Sequence, residues 1–515
     1  MAPTHLPFDI LSLIPAYLSH NDRLRASFVC RHWRGTLLQC GQPWSELFLS
    51  KHCGEEYAET FLKRAKASAL EISALCRDWN SFDVWKLLSP HTKRIESLEF
   101  VSIEIQAIQE IAEIMPGNLQ SLHTLTIKDF LPDIESRSEF PLLFSGAVNL
   151  KAFNFYSKYS KWSPSLRYFA FPSLVSFTFK AMPVREKFCI LQLLDFLEAS
   201  PKLETVHMEI HAEGSSEDIP HDRVVLLPNV KTFTLIFGDV GSAGRIGYEI
   251  GIHLLCPSAR STSFVHIGDP GLNIPPQQIF PDPVSWGPIV SQYTELPVEE
   301  VTLEIKPFAP FKGSLVFRSS DASTIELYHK AGEEDEDEFL KSREDNEDQL
   351  VFGGPSRELH EEVFAQAVWT IRNHPQVENI KRLRICHSSH ACSFVRESCI
   401  ADEVRILFGS LGSLDQLHIY DCSLVPYFYL TNPMDEKEGP MVFPPIKELV
   451  ISDPLLWTDE QGLAIVELAK SHYELGRPFE SMIISWGAPV SAWLEESLKP
   501  WVDRVVIRQI WSIGP

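Results

Sequence analysis

The 515-residue chain contains no run of about 18 apolar residues, so no membrane-spanning helix is expected. It is short of positive charge. Lys and Arg number 46 against 69 Asp and Glu, a net charge of −23. That balance argues against a general nucleic-acid binder, because neutralising phosphates needs clustered cations. The ten cysteines show no repeated spacing, and "MAPTHLPFDI" has neither a basic n-region nor an apolar h-region. Secretion is therefore not expected, and the thiols read as reduced ones in the cytoplasm and/or nucleus. No G-x-S-x-G, H-E-x-x-H or G-K-[ST] motif occurs. No enzyme activity and no cofactor are expected. What is present is apolar mass: a hydrophobic content of 44% is enough for a large core divided among about two to four domains.

One pattern recurs along the chain: apolar, two variable residues, apolar, one variable, apolar. It reads "IESLEF" (95–100), "LHTLTI" (122–127), "LKAFNF" (150–155), "LVSFTF" (174–179), "LETVHM" (203–208) and "VKTFTL" (230–235). The middle apolar positions Leu98, Leu125, Phe153, Phe177, Val206 and Phe233 are separated by 27, 28, 24, 29 and 27 residues. The pattern returns as "VEEVTL" (298–303), "IKRLRI" (380–385), "LDQLHI" (414–419), "IKELVI" (446–451), "FESMII" (479–484) and "VDRVVI" (502–507), with weaker instances near Leu70, Phe264 and Ile325. Alternation at each core predicts a short strand with one buried face. Helical patterns lie between, such as 188–201, 360–375 and 462–476, ended by Pro or Gly. A strand and a helix at such a period cannot bury their apolar faces alone, so neighbours must stack.

The hexamers resemble the L-x-x-L-x-L core of leucine-rich repeats over residues 65–510, without the regular asparagine that follows that core. The resemblance implies an α/β fold, a curved leucine-rich-repeat-like solenoid with a parallel β-sheet and outer helices. An ordinary α/β fold of βα units is the alternative. Two interruptions are expected. The stretch 268–288 is too Pro-rich for helix or inner strand and reads as a long loop. Around "EEDEDEFLKSREDNEDQ" (333–349), like charges repel, and a disordered insertion is expected over 331–352, with docking of a basic partner as the alternative.

The N-terminal stretch reads "LPFDILSLIPAYLSHNDRLRASFVCRHWRGTLLQCGQPW" from residue 6. Pro7 suits a first helical turn and Asp9 its positive end. Ile10, Leu11, Ile14 and Leu18 form one stripe, and Asn21 and Asp22 read as caps of a second helix. Leu24, Phe28, Val29 and Trp33 read as the apolar face that follows, and Trp44 closes a three-helix unit over 5–47, with a helical linker at 48–64. Pro15 forces the first helix to end early or bend.

This stretch resembles the F-box, through its Leu-Pro opening, its "VCRHW" helix and its later Trp; with the tail it is similar to fungal F-box proteins. The resemblance implies a non-enzymatic substrate receptor of an SCF ubiquitin ligase, acting in ubiquitin-dependent degradation. Its partners would be a Skp-type adaptor, through it cullin and a RING protein, and an unknown protein substrate. Leu6, Pro7, Ile10, Leu11, Ile14, Leu18, Leu24, Val29, Cys30 and Trp33 occupy the adaptor-binding pattern, some of them only packing the unit. A protein-interaction scaffold outside any ligase is the alternative.

In a stacked sheet the variable strand positions share one face. They include Thr126, Lys128, Asn154, Tyr156, Thr178, Lys180, His207 and Glu209, and later Arg382, Arg384, His418 and Tyr420. Of these, Lys128, Tyr156, Lys180, Arg382, Arg384, His418 and Tyr420 are the target-binding candidates. Cys386, His387, His390, Cys392 and Cys399 are zinc-ligand types, but their spacing lacks the C-x-x-C knuckle, and a loop with buried thiols is preferred. "GDVGSAGRIG" (238–247) lacks the G-x-G start of a phosphate loop.

Overall fold

Most strands that carry a hexamer begin at its third residue. The computed structural model describes residues 10–11, 14–18, 20–50, 53–76, 83–115, 119–129, 144, 146–157, 171–184, 190–212, 223–238, 250–251, 253–268, 298–306, 312–319, 324–331, 367–368, 370–372, 377–387, 407–420, 446–453, 459–486 and 492–509. They form two compact units, 1–230 and 231–515. Both are mixed helix and sheet.

In the first unit the strands are β1 (Glu46–Leu49), β2 (Leu70–Leu75), β3 (Ile95–Val101), β4 (Thr124–Lys128), β5 (Ala152–Ser157), β6 (Ser176–Val184), β7 (Thr205–Ala212) and the short β8 (Val225–Leu226). From β1 to β7 each pairs in parallel with the next. The helices are α1 (His20–Ala26), α2 (Arg31–Gln39), α3 (Glu55–Ala65), α4 (Asp83–Leu88), α5 (Ile105–Ile114) and α6 (Ile190–Glu198).

The register shows why the period repeats. Leu98, Leu125, Phe153, Phe177 and Val206 are successive partners, and so are Phe100, Ile127, Phe155, Phe179 and Met208. All ten are buried. Each hexamer thus adds one rung to two apolar ladders. Phe155 stacks on Phe179 with ring centroids 5.5 Å apart, and Phe196 of α6 meets Phe177 at 4.6 Å, which anchors the helix on the sheet.

A second ladder closes the N-terminal ends of the strands. The amide of His123 donates to Glu96 O, Lys151 to His123 O, Val175 to Lys151 O and Glu204 to Val175 O, each at 2.8 Å. Side chains span the same step: Arg94 Nε donates to Ser68 O (2.9 Å), Ser121 Oγ to Lys93 O (2.6 Å) and Asn149 Nδ2 to Gln120 O (2.7 Å). Carbonyls that precede β2, β3 and β4 are thus met by assorted side chains.

The second unit holds β9 (Thr232–Gly238), the short β10 (Leu254–Leu255), β11 (Ser261–Gly268), β12 (Val298–Lys306), β13 (Lys312–Ser319), β14 (Thr324–Ala331), β15 (Arg382–His387), β16 (Gln416–Tyr420), β17 (Glu448–Asp453), β18 (Ser481–Trp486) and β19 (Val505–Gln509), with helices α7 (Asp459–Glu474) and α8 (Ala492–Leu498). β15 to β19 pair in parallel in chain order.

Here the sheet departs from a strictly parallel one. β11 pairs in parallel with β14, β14 antiparallel with β13, β13 antiparallel with β12, and β12 in parallel with β15. The spatial order is therefore 11-14-13-12-15. The connections 307–311 and 320–323 are too short for a parallel crossover, which takes a dozen residues or more, so the chain turns back on itself twice. β13 carries no hexamer, and neither does β1; the repeat pattern passes over both.

The expected loop at 269–288 and the acidic stretch 332–352 lie outside the described residues, as does 238–247 beyond Gly238. The helical pattern at 188–201 is α6, and that at 462–476 is α7, after which Gly476 takes φ +72°.

Candidate functional site

The N-terminal segment is small and helical, and its apolar residues divide into two sets. Leu11, Leu37 and Trp44 are buried; Trp44, 3% exposed, donates its indole Nε1–H to Leu37 O at 2.7 Å. Ile10, Tyr17, Phe28, Val29 and Leu38 are exposed, at 49, 88, 75, 67 and 40%. Those five are among thirteen exposed large apolar side chains in the described residues, although they fall within residues 10–38.

Local structure explains the display. After α1 the amides of Ser27, Phe28 and Val29 donate back to Arg23, Arg25 and Ala26 carbonyls, so residues 27–29 form a tight turn in which Ser27 is buried while Phe28 and Val29 point outward. Arg34 of α2 fixes that turn: its Nε donates to Ser27 O at 2.9 Å, and its guanidinium lies 5.6 Å from the Phe28 ring centre. Phe28 and Val29 are therefore not part of the internal apolar face read from the sequence. Their positions fit a helical stripe, but the helix has already ended at Ala26.

The other expected residues are placed as follows. Ile14, Leu18, Cys30 and Trp33 are half-buried. Pro15 sits in a 3-10 turn, Ile14–Tyr17. Asn21 and Asp22 lie inside α1 rather than before it; Asp22 Oδ1 meets Arg25 Nη1 at 3.3 Å. Leu24 is in α1, with its side chain outside the described residues, and Leu6 and Pro7 are outside them altogether. Tyr17 and Leu38 were not singled out by sequence, and Phe28 was read only as part of the internal apolar face. The one available signal was the Phe-Val pair placed immediately before Cys30 and the new helix.

A second candidate surface is the polar face of each sheet. In the first unit Lys128, Tyr156, Lys180 and Glu209 are successive register partners. Thr126, Asn154, Thr178 and His207 form the adjoining row. Lys128 Nζ meets Glu99 Oε1 at 2.5 Å, and Lys180 Nζ meets Glu209 Oε2 at 2.9 Å. The hydrogen bond it donates to Glu99 holds the Lys128 ammonium above the ordinary lysine range. Burial first, then the Lys180 charge, holds His207 below the usual histidine value, opposed by Glu209. With Glu99 of the adjoining row, the side chains run carboxylate, ammonium, phenol, ammonium and carboxylate, close to neutral in sum.

In the second unit Arg382 pairs in register with Gln416, Arg384 with His418, and Cys386 with Tyr420. His418 Nε2 stands 3.7 Å from Glu448 Oε1, and the His418 and Tyr420 rings are 6.3 Å apart. The sequence candidates therefore fall into two clusters, Lys128–Tyr156–Lys180 on one unit and Arg382, Arg384, His418 and Tyr420 on the other. Along the same face of β17, β18 and β19, Val450, Ile483 and Val506 are successive partners and half-buried, an apolar continuation that the hexamer rule did not single out.

Among the described residues no cluster of three His, Cys, Asp or Glu side chains could hold a metal ion, and His390, Cys392 and Cys399 lie outside them. No described helix is long and apolar enough to cross a membrane.

Residues 4–40 match the F-box domain family. F-box domains are modules that bind Skp-type adaptors, and the match spans the same stretch as the five exposed apolar side chains. No curated protein matches the chain.

Proposed function

We propose that the chain is the substrate-recognition subunit of an SCF-type ubiquitin ligase, its F-box binding a Skp-type adaptor and, through it, cullin and a RING protein. One observation carries this reading: the F-box match at 4–40 coincides with Ile10, Tyr17, Phe28, Val29 and Leu38 left exposed. Such side chains cost solubility in a free protein and are accounted for by a partner surface.

The remainder reads as a degenerate leucine-rich-repeat-like solenoid of the kind seen in fungal F-box proteins. What supports this is the recurrence of strands at the hexamer period and the in-register ladders. Its polar strand face is the target surface, with Lys128, Tyr156 and Lys180 on one unit and Arg382, Arg384, His418 and Tyr420 on the other. Repeated strands offer many variable side chains to one protein target at once. The chain itself does no chemistry in this reading. It raises the effective concentration of a target beside the charged ubiquitin carrier. The place of action is the cytoplasm and/or nucleus.

Affinity purification of the full chain tests the proposal. Recovery of adaptor and cullin together is the expected result. Adaptor without cullin supports a scaffold outside any ligase, and recovery of neither sinks the receptor reading.

A further inference from the structure

We propose that the variable face of β1–β6 takes a short extended peptide segment that carries an apolar side chain and, three or four positions away, an anionic one. The apolar side chain seats on Phe48, Leu75 and Val101, and the anion over Tyr156, between Lys128 and Lys180. That the segment belongs to a ubiquitin-ligase target rests on the receptor reading above; the two-part seat does not.

The apolar half follows from the pleat. Successive residues of a strand point to opposite faces, so Leu47, Leu49, Ile72 and Ala74 go into the core while Phe48 and Leu75 go out. Phe48 is 46% exposed and Leu75 37%. Phe48 is the register partner of Ser73; two residues along β2, Leu75 is the partner of Val101, which is half-buried. The three are thus neighbours, directly or diagonally, at the β1 end of the face. From β4 to β7 the same two rows are polar.

The anionic half follows from charge. On β4, β5 and β6 these rows carry Thr126, Lys128, Asn154, Tyr156, Thr178 and Lys180, two cations among neutral side chains and no carboxylate. In a chain of net charge −23, that is a local reversal of sign. The carboxylates stand outside: Glu99 on β3 pairs with Lys128, Glu209 on β7 pairs with Lys180 at 2.9 Å, and Asp129 lies just beyond β4. They hold the two ammonium groups on either side of Tyr156. An ammonium has three donors and one carboxylate oxygen takes one, so each lysine keeps donors for a ligand, and the phenol adds another. Charge complementarity therefore selects an anion there, because a cation would meet two like charges.

The register sets the spacing. Val101 lies two strands from Tyr156 and Leu75 three, about 10 and 14 Å, which an extended chain covers in roughly three or four residues.

Selection of a random dodecapeptide library, displayed on phage, against the full chain tests the seat. Enriched peptides should hold an apolar residue and an Asp or Glu three or four positions apart, in either order. For one such peptide made synthetically, Lys128→Ala with Lys180→Ala should weaken binding by roughly ten- to a hundredfold, and Phe48→Ser with Leu75→Ser by roughly tenfold. Added salt should weaken binding to the wild type and leave the lysine-free variant unmoved. Exchanging the acidic residue for phosphoserine distinguishes the source of the anion, tighter binding assigning a phosphate and weaker binding a carboxylate. No enrichment, enriched peptides without an acidic residue, or affinities unmoved by both double variants overturn the proposal. Enrichment as described with no adaptor recovered in the purification above sinks the receptor reading and leaves the seat standing. Adaptor and cullin recovered without enrichment sink the seat alone.

Discussion

Truncating Phe28, in the turn between α1 and α2, should separate binding from folding. The ring is 75% exposed, so about a quarter of its burial contributes to the isolated fold. Full burial of a Phe side chain stabilises by roughly 1.5–3 kcal/mol, so Phe28→Ala should cost folding about 0.5 kcal/mol, including the contact with Arg34. The remaining three-quarters is available to a partner, about 1–2 kcal/mol, a loss of about 5- to 30-fold in adaptor affinity. Leu37→Ala is the contrasting change: at 2% exposure, its loss falls on the fold, at roughly 2–5 kcal/mol. Calorimetric titration of adaptor, with a denaturation curve for each variant, reads both quantities. If Phe28→Ala leaves adaptor affinity within twofold of wild type, the exposed set is not the docking surface.

His472 predicts a pH response in the second unit. It is buried, 2% exposed, and stacked on Phe479 at 4.3 Å. Burial lowers its pKa to about 4 from the ordinary histidine value near 6.5, opposed by a backbone hydrogen bond at Arg477 and aided by the Arg477 charge. A base with a lowered folded pKa leaves the unfolded chain holding more protons, so stability is present above about pH 6.5 and falls toward pH 4. The loss should reach about 2 kcal/mol at pH 5, and His472→Leu should flatten it; denaturant melts of the second unit at pH 7.5 and 5 decide, an equal slope in both proteins counting against the assignment. Phe177→Ala removes a fully buried ring from the centre of the Phe153–Phe196 cluster and should destabilise the first unit by roughly 3–5 kcal/mol, with a cost below about 1 kcal/mol refuting the ladder as its core. Lys128→Ala with Lys180→Ala should change stability by at most about 1 kcal/mol, because both ion pairs are partly exposed. Target capture by the double variant, compared by quantitative pull-down with wild type, should fall; equal capture removes this row from the target surface.

The parallel strands were legible because each hexamer needs only local alternation to show which side chains go inside. Leu98, Leu125, Phe153 and Phe177 announced their ladder through spacing alone. β1 and β13 were not legible: "ELFL" and "KGSLVFRS" lack the repeat, and pairing with the neighbouring strands, β2 for one and β12 and β14 for the other, makes them strands. In the docking segment, the stripe of Ile10, Leu11, Ile14 and Leu18 was visible, yet it did not tell buried from exposed. Leu11 is inside while Ile10, its neighbour, is half out, and Phe28 and Val29 point away because α1 stops at Ala26. Helical spacing presumes a continuing helix, and a terminus set by turn hydrogen bonds breaks the presumption.

By itself the sequence determined the period, the apolar rungs, the acidic balance and the helical docking motif at the front. These depend on residue type and spacing, which are local and repeat along the chain. Only the tertiary structure decided the reversed order 11-14-13-12-15, the pairing of Lys128 and Lys180 with carboxylates one strand away, and the seating of Trp44 between Leu37, Phe61 and Arg64. Each joins residues on separate elements. Such contacts are selected by the free energy of the whole packed body, so no window of the chain contains them.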